Sequence, residues 1–327
     1  MSFEKFVLKN QYKKVQGLGG RLDHIKGMID WEKFRPFFSD LFFDDDKTGG
    51  RPHYDEVVMM KVLVLQRFYG LSDQEAEFHI NDRTSFNNFL GFPDKIPDYT
   101  TIWGLKERLQ KSGVLEKIWN ELQQQLEDRG LKVKNGVIQD ASFIEADFGK
   151  KRHYKEKKAG RKGQGIEYTE KQKAHMDRDG TFTAKHNAVH FGYRLHQKTD
   201  IDHGLIREFS VTTASSHDSK TDLTEIIDKA VYRDKGYSGV APHPFIMDMT
   251  MKKAARGRPL TKEEKKYNKK IAKVRAPGER PFAVLQRVFH DGRTRVKNLS
   301  RVTVQGAFDC IAYNLYQLFT LKKQRKW

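Results

Sequence analysis

At Val133-Lys134-Asn135-Gly136-Val137-Ile138-Gln139-Asp140-Ala141 the chain changes character. Before it, apolar residues recur at steps of three and four, the period of helices with one buried face. From here on, short β-branched runs alternate with basic, glycine-containing stretches. The run predicts a strand over 133–141 that ends on a carboxylate, Asp140. A charge at the end of an apolar strand is costly unless it is exposed or liganded.

Downstream, 188–196 and 204–213 read as strands joined by a hairpin through Thr199-Asp200-Ile201-Asp202-His203. Leu223, Ile226, Ile227 and Ala230 then recur at helical spacing, which predicts a helix over 217–229. Ala230-Val231-Tyr232-Arg233 is a short strand ending on a second carboxylate, Asp234, followed by the turn Lys235-Gly236-Tyr237-Ser238-Gly239. A basic stretch, 252–275, opens a helix at Lys262; further helices are expected at 279–290 and 303–321. The second half is therefore mixed α/β, with three early strands antiparallel and a crossover helix before the fourth. The stretch 147–185 is basic, with little periodicity.

Upstream, Trp31, Phe34, Phe37, Phe38, Leu41 and Phe42 mark a helical segment that Pro36 interrupts. Asp44-Asp45-Asp46 reads as an exposed acidic turn. Residues 51–112 form several short helices with tight turns, the last carrying Lys106 and Arg108 beside Thr101. A helix-turn-helix DNA reader and a plain helical bundle suit this pattern equally. A further amphipathic helix, 114–130, stops at Gly130. The organisation expected is a helical N-terminal domain over 1–130 and a mixed α/β domain over 131–327, with basic insertions at about 147–185 and 243–275.

Composition points to the partner. The 327 residues carry 61 Lys and Arg against 43 Asp and Glu, a formal net charge of +18. Such an excess suits a polyanion, and nucleic acid above all, because a phosphate lattice rewards many scattered cations. No basic amphipathic helix or lipidation motif points to a membrane, and no apolar run is long enough to span one. The N-terminus lacks a secretory h-region. The one cysteine, Cys310, fits an apolar helical face and a reducing compartment. A cytoplasmic location is expected.

Phosphoryl transfer on DNA needs an activated oxygen nucleophile and neutralised charge at the scissile phosphate, which two divalent ions about 4 Å apart supply. Magnesium takes hard oxygen ligands and keeps several waters, so two or three carboxylates suffice. Asp140 and Asp234 end strands, and Glu279 opens a helix in which Pro281 is tolerated. Taken singly, the aspartates also suit turns, and Glu279 a first-turn carboxylate on a helix dipole. His186, His190, His196, His203 and His217 lack the spacing of a zinc site.

Five ordered strings select among these readings: Ile138-Gln139-Asp140-Ala141-Ser142, His190-Phe191-Gly192-Tyr193-Arg194-Leu195-His196, Val211-Thr212-Thr213-Ala214-Ser215-Ser216-His217-Asp218-Ser219, Asp234-Lys235-Gly236-Tyr237-Ser238-Gly239 and Arg275-Ala276-Pro277-Gly278-Glu279-Arg280-Pro281-Phe282. Together they resemble the insertion-sequence transposases with a DDE catalytic core, in the family numbered five. The segments from Gly50-Arg51-Pro52 to Leu71-Ser72-Asp73 and Ile96-Pro97-Asp98-Tyr99-Thr100-Thr101-Ile102 resemble that group's N-terminal helical domain.

The resemblance implies a ribonuclease-H-like core, with Asp140, Asp234 and Glu279 as catalytic ligands of Mg2+ or Mn2+. It implies cleavage and strand transfer at the terminal inverted repeats of an insertion sequence, by a homodimer or larger assembly on double-stranded DNA, both element ends and target. Arg275 fits the arginine that relatives carry before the glutamate. Their tyrosine position holds Ala272, and their lysine position holds Gln286 with Arg287 adjacent. The DNA-contacting cations expected are Lys106, Arg108, Lys150, Lys151, Arg152, Lys157, Lys158, Arg161, Lys162, Arg275 and Arg287. The rival readings are a non-catalytic transposase-derived DNA-binding protein and a hydrolytic nuclease of the same fold.

Overall fold

The computed structural model describes residues 3–42, 53–149, 155–156, 166–185, 188–289 and 292–324. Helices fill the first 130 residues: α1 (Phe3–Gln16), α2 (Arg21–Lys26), α3 (Arg35–Phe42), α4 (Glu56–Tyr69), α5 (Asp73–Asp82), α6 (Thr84–Leu90), α7 (Tyr99–Ser112) and α8 (Val114–Asp128). Their ends follow local chemistry. Asp55 caps α4, and Gly70 ends it in the left-handed conformation. Ser72 and Glu75 form a reciprocal capping box on α5. Asp98 caps α7 by accepting from the Thr101 amide. The acidic turn at 44–46 lies outside the described residues.

A mixed sheet follows: β1 (Val137–Glu145), β2 (Thr181–Lys185), β3 (Ala188–Asp200), β4 (Ile206–Thr213), β5 (Ala230–Arg233) and β6 (Met247–Thr250). The order is β2-β3-β1-β5-β6, with β4 also paired to β3. β1 is antiparallel to β3 and parallel to β5. The remaining helices are α9 (Glu170–Ala174), α10 (Lys262–Arg275), α11 (Arg280–Arg287) and α12 (Leu299–Lys323).

Three features differ from expectation. β1 continues to Glu145, so Asp140 lies within the strand and not at its end. β2 and β6 form inside stretches that carry little apolar periodicity. The crossover before β5 has no α-helix over 217–229; it makes a 3-10 turn at Asp218–Lys220 and then runs irregularly. The cause is polar. Lys198, 1% exposed on β3, draws in both Glu225 and Asp228 at 3.1 Å. Gln139 Nε2 donates to the Thr221 carbonyl at 2.6 Å, a group that a helix would occupy. Ile226 and Ile227, whose spacing suggested a helix, are left exposed.

One hydrophobic core runs through both halves. Buried residues of α12, among them Val304, Phe308, Ile311, Leu315 and Leu318, belong to the same cluster as Met60, Leu63 and Leu105 of the helical region and Leu195 and Val211 of the sheet. Charged pairs reinforce the joint. Arg67 on α4 is paired with Asp309 on α12, and Arg301 grips Glu107 with two hydrogen bonds of 2.6 and 2.8 Å. Among the described residues, no helix is long and apolar enough to cross a membrane.

Candidate active site

β1 and β5 run side by side in the same direction, with Ile138 opposite Tyr232. Two residues further along, the strands reach Asp140 and Asp234. β5 stops at Arg233 while β1 continues, so Asp140 stands where its parallel neighbour ends. Arg233 is fully buried beneath this point. Its guanidinium donates to the Val240 carbonyl at 2.7 Å and to Thr250 Oγ1 at 3.1 Å, and it lies over the Tyr237 ring. These contacts brace the turn after Asp234. The Asp234 carboxylate accepts from the Gly236 amide at 2.7 Å and caps the 3-10 turn Lys235–Tyr237.

The third element approaches along the same face. Side chains alternate along a strand, so Ile138, Asp140 and Ser142 share one side of β1. Gly278 packs so closely on Ile138 that an added Cβ would lie 2.5 Å from Cγ2. Arg275, in the last turn of α10, donates from Nη2 to Asp140 Oδ2 at 2.7 Å. Gln286 Nε2 stands 3.5 Å from Ser142 Oγ. The segment from Arg275 to Gln286 therefore lies along the Asp140 face. Glu279 sits within it, on the 3-10 turn Ala276–Glu279, and is exposed.

Asp140 and Asp234 are neighbours, whereas the Glu279 carboxylate is not gathered with them. Among the described residues, no set of three or more His, Cys, Asp or Glu side chains is already assembled to hold a metal ion. Burial pushes the Asp140 carboxyl above the usual carboxylate range. The Arg275 charge pulls it back, and the negative charges of Asp234 and Asp218 push it up further. Asp218 reaches this region from the other side. Its partner Arg194 is opposite Phe143 in the β1–β3 register, and Phe143 points away from the Asp140 face. Tyr237, 1% exposed, is held as a neutral phenol by burial and by the charges of Asp218, Asp140 and Asp234. In the sequence Asp218 suits the N-terminus of the expected crossover helix, and Arg194 and Tyr237 stand only within motifs; the ion pair of Arg194 with Asp218 is visible in the structure alone.

The expected DNA-contacting cations fall into three groups. Lys150, Lys151, Arg152, Lys157, Lys158, Arg161 and Lys162 lie outside the described residues. Lys106 is ion-paired with Asp73, and Arg108 donates to the Leu41 carbonyl at 2.8 Å over the Phe42 ring. These two are engaged within the fold, and α7 instead exposes Tyr99 and Trp103. Arg287 is exposed one residue beyond Gln286, and Arg275 is at the site. Beside it, α10 exposes Lys262, Lys265, Lys266, Lys269, Lys270 and Lys273, with Ile271 its one buried residue.

His196 is buried against Thr212 Oγ1 at 2.8 Å, and among the described residues no histidine joins a metal cluster.

Comparison with known proteins agrees with this geometry. Residues 132–315 match the Transposase DDE domain family, and residues 6–108 match the Transposase domain (DUF772) family. The transposase for insertion sequence element IS1106 of Neisseria meningitidis serogroup B is 29% identical over 218 residues, covering 63% of this chain and 74% of that protein. No solved structure matches the chain. With the DDE-domain match spanning more than half of its length and the helical N-terminal match preceding it, the chain belongs to the DDE transposases of insertion sequences, DNA-binding enzymes that use a divalent metal on a ribonuclease-H-like core.

Proposed function

We propose that this transposase cleaves DNA at the terminal inverted repeats of its insertion sequence and joins the freed ends to target DNA, with Asp140, Asp234 and Glu279 as ligands of Mg2+ or Mn2+. The observation that carries the reading is the adjacency of Asp140 and Asp234 on parallel strands, with the Arg275–Glu279 turn on the same face. The donor set fits a hard cation. Its members are carboxylates, and the enclosed Asp140 already takes a positive charge, that of Arg275.

A divalent ion there supplies neutralisation of the scissile phosphate and an acidified attacking water. The chain's own residues do the rest. Glu279, exposed on its turn, would complete the ligand set from this segment. The lysines of α10 hold the DNA backbone on the approach to the site without reading sequence. Gln286 offers a neutral amide where relatives carry a lysine. Arg287 supplies the nearby positive charge. The narrower assignment to the family numbered five rests on the five ordered motifs.

Residues 1–130 are proposed to read the element's ends. Their buried residues share a cluster with α12, which supports assigning this role to the full chain. A homodimer or larger assembly brings two ends together.

The test uses duplexes ending in the element's repeats, with magnesium and a target plasmid. Cleaved ends and joined products are expected. Cleavage without joining makes the protein a nuclease, and tight binding without cleavage makes it a DNA-binding protein.

A further inference from the structure

The contact between Arg275 and Asp140 has two unusual properties. Both side chains are largely enclosed: 15% of the arginine and 25% of the aspartate are exposed. A carboxylate withdrawn from water needs a counter-charge or it becomes neutral. Arg275 is the positive charge that acts most strongly on Asp140. The guanidinium is nevertheless only partly satisfied. Nη2 donates to Asp140, Nη1 lies 3.8 Å from Met251 Sδ, and Nε is buried without a hydrogen-bond partner. Arginine normally engages a carboxylate with two parallel donors. Here one edge of the fork is used and another donor is left over.

The mounting of Arg275 also matters. It ends α10, and the chain then turns through Pro277 and Gly278, which is seated on Ile138. The Arg275 backbone is thereby held against the strand that carries Asp140.

We propose that Arg275 is a resident counter-ion of Asp140, which a divalent ion must displace in order to bind. The inference rests on Asp140 being a metal ligand. Ion entry and release of Arg275 are then one event. Without the ion, the guanidinium occupies Asp140 Oδ2. With it, the guanidinium is released beside the site with an unpaired Nε. A phosphate oxygen can take that donor together with the one Asp140 gives up. The released arginine is thus presented to DNA when the ion is in place.

The test uses the full-length protein without DNA, and Mn2+ as the probe, with free ion followed by electron paramagnetic resonance. Arg275→Gln removes the competing charge and should bind Mn2+ about tenfold more tightly, the worth of one charge-assisted hydrogen bond removed from the competing state. Arg275→Lys should fall between it and the wild type. In EDTA, Arg275→Gln should melt earlier than wild type, and Mn2+ should narrow the gap. Equal or weaker Mn2+ binding by Arg275→Gln overturns the proposal. Asp140→Asn separates the two layers of the argument: if it binds Mn2+ like wild type, the ligand assignment itself fails. If Arg275→Gln does not fold, the wild type carries the test. Titration with Mg2+ should move the Arg275 Nε resonance in protein labelled with 15N-arginine, and an unmoved resonance counts against displacement.

Discussion

Asp140 and Asp234 both follow the last register pair of two neighbouring parallel strands: Ile138 is paired with Tyr232, Asp140 lies two residues further along β1, and Asp234 comes immediately after the end of β5. The chain separates them by nearly a hundred residues, yet register alone makes them adjacent. Neighbouring strands are about 4.8 Å apart, a spacing one ion can bridge from two carboxylates. The arrangement also explains why Asp140 lies inside a long strand. β3 pairs with β1 along its whole length, while β5 pairs only with its start, so the edge facing Asp234 is open.

Exchange of either carboxylate for its amide keeps size and shape but removes the ligand charge. Asp140→Asn and Asp234→Asn should each lower strand cleavage by about a thousandfold or more, the rate equivalent of several kcal/mol of lost charge stabilisation. Duplex binding should change little, because the lysines of α10 are untouched. Gel shift and cleavage assays on the same preparations check this. Cleavage near the wild-type rate by either variant rejects the assignment.

Gly278 offers a test of Glu279 as the proposed third ligand that leaves its carboxylate in place. An added Cβ would meet Ile138 Cγ2 at 2.5 Å and push away the turn that carries Arg275 and Glu279. Gly278→Ala should cost about 1–3 kcal/mol, typical of overpacking, and reduce cleavage more than DNA binding. Ile138→Ala in the same chain removes the clashing methyl and should restore part of the activity. No rescue in the double variant would mean that the turn's seat on β1 does not govern the site.

How much of this was legible beforehand differs by element. The strand 230–233 and the helix starting at Lys262 were readable because local chemistry sets their limits: a β-branched run into a turn, and a Thr261–Glu264 capping box. The crossover at 217–229 was not. Its apolar spacing is helical, but the buried charge of Lys198, distant in sequence, captures Glu225 and Asp228. The adjacency of Asp140 and Asp234 followed from strand order. The Arg275–Asp140 pair did not, since a motif arginine looks equally suited to phosphate. Lys106 shows the reverse error of reading: a cation on a polar helix face turns inward because Asp73 waits there.

The shared core makes a prediction about separability. α12 supplies buried side chains to the helical region, and Asp309, 1% exposed, is the partner of Arg67. Asp309→Ala withdraws this charged hydrogen bond from the joint and should destabilise the protein by about 1–3 kcal/mol in urea titrations. A fragment of residues 1–130 should lack a cooperative unfolding transition. A fragment that unfolds cooperatively would show that the helices form a domain without α12.

His196 gives the protein a pH dependence unrelated to its chemistry. Burial lowers its imidazole from 6.5 to about 4. The folded chain keeps it neutral while the unfolded chain takes up a proton, so its contribution is complete above pH 6.5. It is lost progressively as pH falls from 6.5 toward 4, by up to about 3 kcal/mol. His196→Gln cannot titrate and should flatten this part of the stability profile, measured by denaturant unfolding at several pH values. An unchanged slope would mean that the imidazole is not kept neutral in the folded state.

The last prediction concerns how DNA is held. Exposed lysines on α10 include Lys265, Lys269 and Lys273, spaced by four and so aligned on one face of the helix. The helix ends at Arg275, in contact with Asp140, so a phosphate backbone held along its length runs toward the end of the helix that meets the candidate site. Each lysine that neutralises a phosphate releases a counterion, and the logarithm of affinity falls with the logarithm of salt by about 0.9 per contact. Changing all three to Gln should therefore reduce the salt slope of duplex binding by up to about 2.7. The fold should tolerate the change, because the three side chains are exposed and Gln is a good helix former. Preference for element ends over random duplex should persist, since backbone contacts position DNA without reading it. Fluorescence anisotropy over a salt series, with both duplexes, measures slope and preference together. An unchanged slope would remove α10 from the DNA path and leave the charge excess to other surfaces. A lost preference would make this helix a reader of sequence.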